Sequence, residues 1–175
     1  DGVVAAMGAV QPGDPTDPSC PLGPMARVDL RDTLHQQVVD SVERGARVAV
    51  GGQKPDRPGA WYPATVLEGV APGQPAYDEE LFGPVASLIR VADDAEALRV
   101  ANDSRYGLGG GIFSADVTRA TALARDEFDT GMVNINAYNL AFPHLPFGGV
   151  KDSGYGRFGG RAAIYEFTDL RWLTI

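Results

Sequence analysis

The sequence predicts an α/β fold in which an open, mainly parallel sheet carries helices on both faces. Short β-prone runs alternate with longer segments of helical periodicity along most of the 175 residues. That alternation is typical of right-handed strand, helix, strand crossovers. The chain is 44% hydrophobic and 22% charged, which suits a soluble domain with its own core. It contains neither an internal repeat nor a long flexible linker.

The first elements are two helices separated by a proline-rich loop. Residues 3–10 are apolar and lack a capping residue, so we expect the end of a helix whose beginning is missing. Residues 11–24 contain five prolines, which remove amide donors and predict a surface loop. Across residues 29–44 apolar side chains recur at helical spacing, and Gly45 stands where a helix C-terminus is capped.

The remaining elements follow from runs of apolar residues and their spacing. Runs bounded by glycine or proline predict five strands, at residues 47–52, 64–70, 84–91, 107–113 and 131–137. Helical periodicity predicts three further helices, at residues 93–103, 117–128 and 159–169. The first of these begins with aspartates, which favour a helix N-terminus. Residues 170–175 are β-prone without a partner and predict a strand that pairs with another chain.

The composition excludes several classes of function. A net charge of −8 is unsuited to a nucleic-acid groove, which needs a clustered basic face. No apolar run reaches the ~20 residues that span a bilayer, and the start lacks the features of a signal peptide. We therefore expect a cytoplasmic protein without membrane contact. Cys20 cannot form an internal disulfide, and together with His35 and His144 it supplies too few ligands for structural zinc.

The first motif that suggests chemistry is EELFGPV at residues 79–85. Two carboxylates precede a Leu-Phe pair and a Gly-Pro turn, so a loop would project Glu80 and Phe82 from a strand edge. A carboxylate there can accept hydrogen bonds from a sugar diol, each contributing ~1.5–3 kcal/mol. A solvated acidic loop explains the same residues, and spacing alone favours that interpretation without excluding the first.

A glycine-rich motif, LPFGGVKDSGYGRFGG, occupies residues 145–160 and contains six glycines. Glycine at this density indicates tight turns or a close approach of the backbone to another group. The spacing G-x-G-x-x-G occurs within the motif, but no strand precedes it. It is therefore not a dinucleotide-binding fingerprint.

The third motif combines amide and aromatic side chains between residues 131 and 149. A predicted strand carries Asn134 and Asn136 on one face, and an aromatic loop with Tyr138 and Phe142 follows it. This combination suits a small-molecule pocket. A role for Tyr138 and Phe142 in the core or in subunit contacts remains an equal alternative.

Taken together, these motifs resemble those of the aldehyde dehydrogenase superfamily. The matching segments, in the family's order and near its separations, are GDPTDPSCPLGPM, EELFGPV, NDSRYGLGGGIFS, GMVNIN and LPFGGVKDSGYGR. The resemblance implies that residues 1–166 form part of the family's catalytic domain. It also implies that residues 167–175 form a C-terminal oligomerisation strand, so we expect a homo-oligomer.

The resemblance implies NAD(P)-dependent oxidation of an aldehyde to a carboxylic acid by the hydrolytic branch of the family. There, a cysteine thiolate attacks the aldehyde, hydride passes to the nicotinamide, and a glutamate activates water against the resulting thioester. These groups and the Rossmann-like domain belong to sequence before Asp1. The chain is therefore expected to be a C-terminal fragment without catalytic residues. NAD or NADP is expected in the parent enzyme, neither is expected on this chain alone, and no metal is expected.

The resemblance also assigns cofactor and substrate residues. Glu80 matches the glutamate that binds the nicotinamide-ribose hydroxyls, and Phe82 matches the aromatic residue that packs beside the nicotinamide. The substrate pocket of the family corresponds here to Asn136, Tyr138, Asn139, Phe142 and Phe147.

The same resemblance gives Cys20 no catalytic role. Cys20 matches a family turn, and its neighbours offer nothing that would activate a thiol. His35 is expected on a helix surface, and His144 in a structural role or at the rim of the pocket.

Two other interpretations remain. The first is a natural stand-alone domain without catalysis, which acts as a binding or assembly module through residues 171–175. The second is membership of the acylating or phosphorylating dehydrogenases, which share the hydride step, although PFGG followed by SGYGR resembles the hydrolytic branch more closely. These residues determine neither the particular aldehyde nor the choice between NAD and NADP.

Overall fold

The computed structural model describes residues 2–138 and 141–175, which divide into two compact units, residues 1–90 and 91–175. The α/β class predicted from the sequence is confirmed. The described strands form three small sheets, one of three strands and two of two strands. Parallel and antiparallel pairs both occur in them.

The first unit combines helices with the three-stranded sheet. Its elements are α1 (Gly2–Ala9), α2 (Val28–Glu43), β1 (Arg47–Val50), β2 (Thr65–Glu68), α3 (Pro75–Asp78) and β3 (Val85–Leu88). The strands lie in the order β1, β2, β3, of which β1 and β2 are antiparallel and β2 and β3 parallel. The loop between α3 and β3 contains the EELFGPV motif.

Helix α2 anchors the core of this unit. Its apolar face buries Leu34 and Val38 in one cluster with Tyr62 and Leu67, and none of the four is more than 1% exposed. The helix ends at the predicted place because Gly45 adopts a φ of 105°, which a residue with a Cβ rarely tolerates. The sequence therefore fixes both the buried face of α2 and its end.

The second unit contains the remaining elements. They are α4 (Asp94–Asn102), β4 (Tyr106–Gly107), β5 (Gly109–Ile112), α5 (Val117–Asp126), β6 (Met132–Ile135), β7 (Val150–Lys151) and α6 (Gly160–Glu166). Strands β5 and β6 are parallel, and β4 and β7 are antiparallel. The predicted aspartate at the start of α4 is confirmed, since the Asp93 side chain accepts from the Glu96 amide at 2.8 Å.

Three features differ from the sequence-based expectation. Helix α3 and strand β7 are not among the elements predicted from the sequence. Helix α3 has only four residues, too few for a periodic signal, and β7 exists only through pairing with the distant β4. The predicted strand at residues 107–113 is divided into β4 and β5. Residues 168–175 form no strand with any described part of the chain, so their pairing with another chain stays a prediction.

The described residues contain neither a membrane-spanning helix nor a cluster of metal-binding side chains. None of the helices found there is both long and apolar enough to cross a membrane. No group of three or more His, Cys, Asp or Glu side chains in the described part could hold a metal ion.

Candidate functional site

The EELFGPV segment forms a tightly turned loop. Glu79 ends α3, and two short turns follow it. The Gly83 amide donates to the Leu81 carbonyl, and the Val85 amide donates to the Gly83 carbonyl, both at 2.8 Å. Gly83 has no room for a side chain, because a Cβ there would collide with the Leu34 side chain. The loop is therefore packed directly onto helix α2.

The two adjacent carboxylates of this loop have different surroundings. Gln37 Nε2 donates to Glu79 Oε2 at 2.8 Å and to the Glu80 carbonyl at 3.3 Å. The Glu80 carboxylate is exposed and has no hydrogen bond or ion pair with the described residues of the first unit. Phe82 is 73% exposed. Sequence reasoning missed Gln37, because a glutamine on a helix gives no signal of a contact so distant in sequence.

In the second unit, Phe147 lies beside a shallow groove. Its ring stacks on Phe158 with the ring centroids 5.6 Å apart, and the two residues also exchange backbone hydrogen bonds at 2.7 and 2.8 Å. The groove has a volume of about 210 Å³. Its lining includes Met132, Val133, Asn134, Phe142, Leu145 and Phe147. Two of the predicted substrate residues, Phe142 and Phe147, are thus brought to one surface.

The glycine-rich motif packs backbone against backbone. A Cβ on Gly148 would collide with the Gly156 carbonyl oxygen. Arg157 Nη1 closes the turn by donating to the carbonyls of Gly149 and Gly156, at 2.8 and 2.7 Å. The guanidinium of the motif is therefore bonded to the chain's own carbonyls.

The other predicted substrate residues lie at the end of β6. Asn136 adopts a φ of 53°, and its side chain accepts from the Ser114 amide at 2.8 Å and donates to the Ser114 carbonyl at 2.9 Å. Both ends of the amide group are therefore used to fasten the segment after β5 to the end of β6. Tyr138 is 75% exposed. Asn139 lies outside the described residues.

The cysteine and the two histidines have different surroundings. Cys20 is half-buried, and its thiol donates to the Leu22 carbonyl at 3.3 Å. His35 was expected on a helix surface, and that expectation is wrong. It is half-buried, with Nδ1 3.2 Å from the hydroxyl of Tyr62 and the two rings edge to face. His144 is exposed, with its ring centroid 5.8 Å from that of Phe142.

A second cleft, of about 340 Å³, lies between α4 and α5. Its apolar lining includes Leu98, Ala101, Ile112, Phe113, Leu123 and Phe128. Its charged residues are already engaged, since Arg119 pairs with Asp94 at 2.8 Å and Asp116 caps α5. The cleft therefore offers an apolar surface without a free acid or base.

The amino-acid sequence matches the model of the aldehyde dehydrogenase family over residues 1–173. It is 50% identical to an NADP(+) succinate-semialdehyde dehydrogenase of Deinococcus radiodurans over 161 residues, which are 92% of this chain and 34% of that protein. It is 47% identical to an NAD(P)+ succinate semialdehyde dehydrogenase of Escherichia coli K12, covering 96% of this chain and 36% of that protein.

Solved structures give the same result. A succinic semialdehyde dehydrogenase of Streptococcus pyogenes in complex with NADP+ matches with a TM-score of 0.94 and 36% identity, over 99% of this chain and 38% of that chain. A Mycobacterium tuberculosis aldehyde dehydrogenase complexed with NAD+ matches with a TM-score of 0.89 and 33% identity, over 95% and 35% of the two chains. The chain thus spans about a third of the length of the relatives it matches.

Proposed function

The chain belongs to the aldehyde dehydrogenase family, and from that premise we propose that it is part of an enzyme that oxidises succinate semialdehyde to the dicarboxylic acid with NADP. The relatives of Deinococcus radiodurans and Escherichia coli bear the name of this activity and match more than nine-tenths of the chain. We propose NADP and not NAD because NADP is the cofactor named for the Deinococcus radiodurans relative.

The observation that supports the proposal is the exposure of the Glu80 carboxylate. Its carboxylate is exposed and unpartnered within the described first unit, although its backbone is held by Gln37. A carboxylate of this kind can accept two hydrogen bonds from a vicinal diol, which is what the nicotinamide ribose presents. The exposed ring of Phe82 adds an apolar face two residues further along the loop. These residues therefore fit the nicotinamide end of a dinucleotide.

We assign the chain's own residues two roles. In the first unit Glu80 orients the ribose and Phe82 packs beside the nicotinamide, which supplies the hydride acceptor when bound. In the second unit the groove at Phe142 and Phe147 takes the aldehyde chain, and the proposed pocket extends to Asn136, Tyr138 and Asn139. The amide of Asn136 is bonded to Ser114, so its role is to shape the loop.

We further propose that the nucleophile, the general base and the dinucleotide-binding domain are supplied by sequence outside these 175 residues. Cys20 is the single cysteine of the chain, and its thiol is bonded to the Leu22 carbonyl. A nucleophilic thiol needs a neighbouring cation, base or helix N-terminus to form the thiolate. The described contacts of Cys20 include none of these.

The experiment is an absorbance assay of reduced nicotinamide with the full-length enzyme, comparing succinate semialdehyde with an uncharged aldehyde of similar length. We expect a higher kcat/KM for succinate semialdehyde, and a higher kcat/KM with NADP than with NAD. Faster oxidation of the uncharged aldehyde would contradict the proposed substrate.

Single-turnover kinetics test the role of Glu80. Glu80→Gln should slow hydride transfer by on the order of ten- to a hundredfold, because it weakens charge-assisted bonds that position the cofactor. Glu79→Gln is the matched control, since it keeps an oxygen for Gln37 and should leave the rate unchanged. An unchanged rate in Glu80→Gln would mean that Glu80 is only part of a solvated acidic loop.

A second candidate function is subunit assembly through residues 167–175. Phe167, Leu170, Trp172 and Leu173 are each 78–94% exposed. Exposed apolar residues at this density are typical of an interaction surface, and an unpaired β-prone segment can add to the sheet of another chain. Removing residues 170–175 from the full-length enzyme should lower its mass in light scattering. An unchanged mass would exclude this role.

A further inference from the structure

We propose that Gln37 is a positioning residue for Glu80, and that it holds the loop carrying the cofactor-binding carboxylate against helix α2. The inference rests on the proposed function, in which Glu80 binds the nicotinamide ribose. Gln37 belongs to a helix that contributes no residue to the predicted site, so it acts only through the loop.

Gln37 uses both N–H bonds of its amide on this loop. One goes to Glu79 Oε2 at 2.8 Å and the other to the Glu80 carbonyl at 3.3 Å. Adjacent carboxylates repel each other. A hydrogen bond to the Glu79 carboxylate keeps its charge away from the carboxylate of Glu80. Gln37 thereby fixes the main chain of Glu80 and keeps the Glu79 carboxylate on the helix, which leaves the Glu80 carboxylate available.

The turns of α2 on either side of Gln37 anchor the loop and helix α3, which precedes the loop. One turn earlier, Leu34 lies directly against Gly83, at a contact that leaves no room for a Cβ. One turn later, the buried Ser41 hydroxyl accepts from the Ala76 amide at 2.9 Å. Between these two contacts along α2, the Gln37 side chain donates a hydrogen bond to the Glu80 carbonyl.

The test measures cofactor binding and loop exchange in the full-length enzyme. Gln37→Met keeps the length of the side chain and removes its donors. The matched control is Gln36→Met on the same helix, where the Gln36 side chain donates to Asp40 at 2.6 Å and has no contact with residues 79–83 among the described hydrogen bonds. We expect Gln37→Met to raise the Kd for NADP, measured by calorimetry, by about tenfold, as for the loss of hydrogen bonds to a carboxylate and a carbonyl. The control should leave it unchanged.

Hydrogen–deuterium exchange gives a readout that is independent of the cofactor. In the cofactor-free enzyme, amides of residues 79–83 should exchange faster in Gln37→Met than in wild type, while those of β2 should not. Gln37→Lys restores a donor within reach of the same oxygens and should recover slow exchange. Equal exchange in all three proteins would overturn the proposal.

A double-mutant cycle separates this inference from the function on which it rests. If Gln37 acts through Glu80, Gln37→Met should add little to the loss caused by Glu80→Gln. Fully additive losses would overturn the positioning role. A Kd for NADP that is unaffected by Glu80→Gln would instead contradict the proposed role of Glu80. If Glu80→Gln weakens NADP binding and Gln37→Met does not, only the role of Gln37 is contradicted.

Discussion

Phe147 is the residue whose environment most directly suggests substrate selection. Its ring forms part of the groove and stacks on Phe158, which does not line it. Phe147→Ala should widen the groove and change the kcat/KM of long relative to short linear aldehydes by on the order of tenfold. Phe158→Ala is the control, because it removes the stacking partner and leaves the lining in place. Equal scaling for all aldehydes would assign Phe147 a structural role.

The contact between the half-buried His35 and the buried Tyr62 predicts a pH dependence of stability. Burial lowers the pKa of His35 below its ordinary 6.5, with the charge of Lys54 as a further cause. Burial raises the pKa of Tyr62 from 10.0 to about 12. The folded state therefore binds fewer protons than the unfolded state just below pH 6.5, and more between pH 10 and 12.

Stability should consequently fall as the pH drops below 6.5 and again as it rises from 10 toward 12. Urea denaturation across the pH range measures both slopes. His35→Gln should reduce the acid slope, and Tyr62→Phe should remove the alkaline one. If both variants kept the wild-type slopes, other titrating groups would be responsible.

Among the elements, α4 has a cap that can be tested alone. The Asp93 carboxylate accepts from the Glu96 amide at 2.8 Å, one of the amides that a helix start leaves without a partner. Asp93→Ala should lower the free energy of unfolding by about 1 kcal/mol. Asp93→Ser, which retains a capping oxygen, should lose less. Chemical denaturation followed by circular dichroism measures the difference, and an unchanged free energy of unfolding in Asp93→Ala would show that the cap bond contributes nothing.

Local sequence predicted the elements whose determinants are local. Helix α2 was predicted at residues 29–44 from its apolar spacing and from Gly45, and it is observed at Val28–Glu43. Helix α3 and strand β7 were missed, because a helix of four residues has no period and β7 depends on its partner β4. Gln37 was missed for the same reason, since its contacts with Glu79 and Glu80 arise only when α2 and the loop pack together.

At the scale of the whole molecule, the described chain has two units, and each contributes one proposed function. The first presents Glu80 and Phe82, and the second presents the groove at Phe147. The motifs pointed to the family because several of them occur along one chain in the family's order, and the family model matches residues 1–173. They did not identify the aldehyde, because selectivity depends on the volume of a complete pocket.

The 175-residue chain by itself should fold at least in part and yet show no dehydrogenase activity. Hydride transfer requires an aldehyde carbon held against the nicotinamide. The described contacts of Cys20, the single cysteine, include no cation or base that would form a thiolate. A few hydrogen bonds of ~1.5–3 kcal/mol each must offset roughly 4 kcal/mol or more of lost translational and rotational freedom. Dinucleotide binding should therefore be millimolar or weaker.

Calorimetric titration of the isolated chain with NAD and NADP, beside an aldehyde-dependent absorbance assay, tests this expectation. The exposed apolar residues of the C-terminal segment, among them Leu170 and Trp172, should also promote association, so light scattering should accompany the titration. Micromolar binding or measurable turnover would contradict the prediction that the catalytic groups are supplied elsewhere. Cys20→Ser would then be the first variant to examine, because Cys20 is the single thiol of the chain.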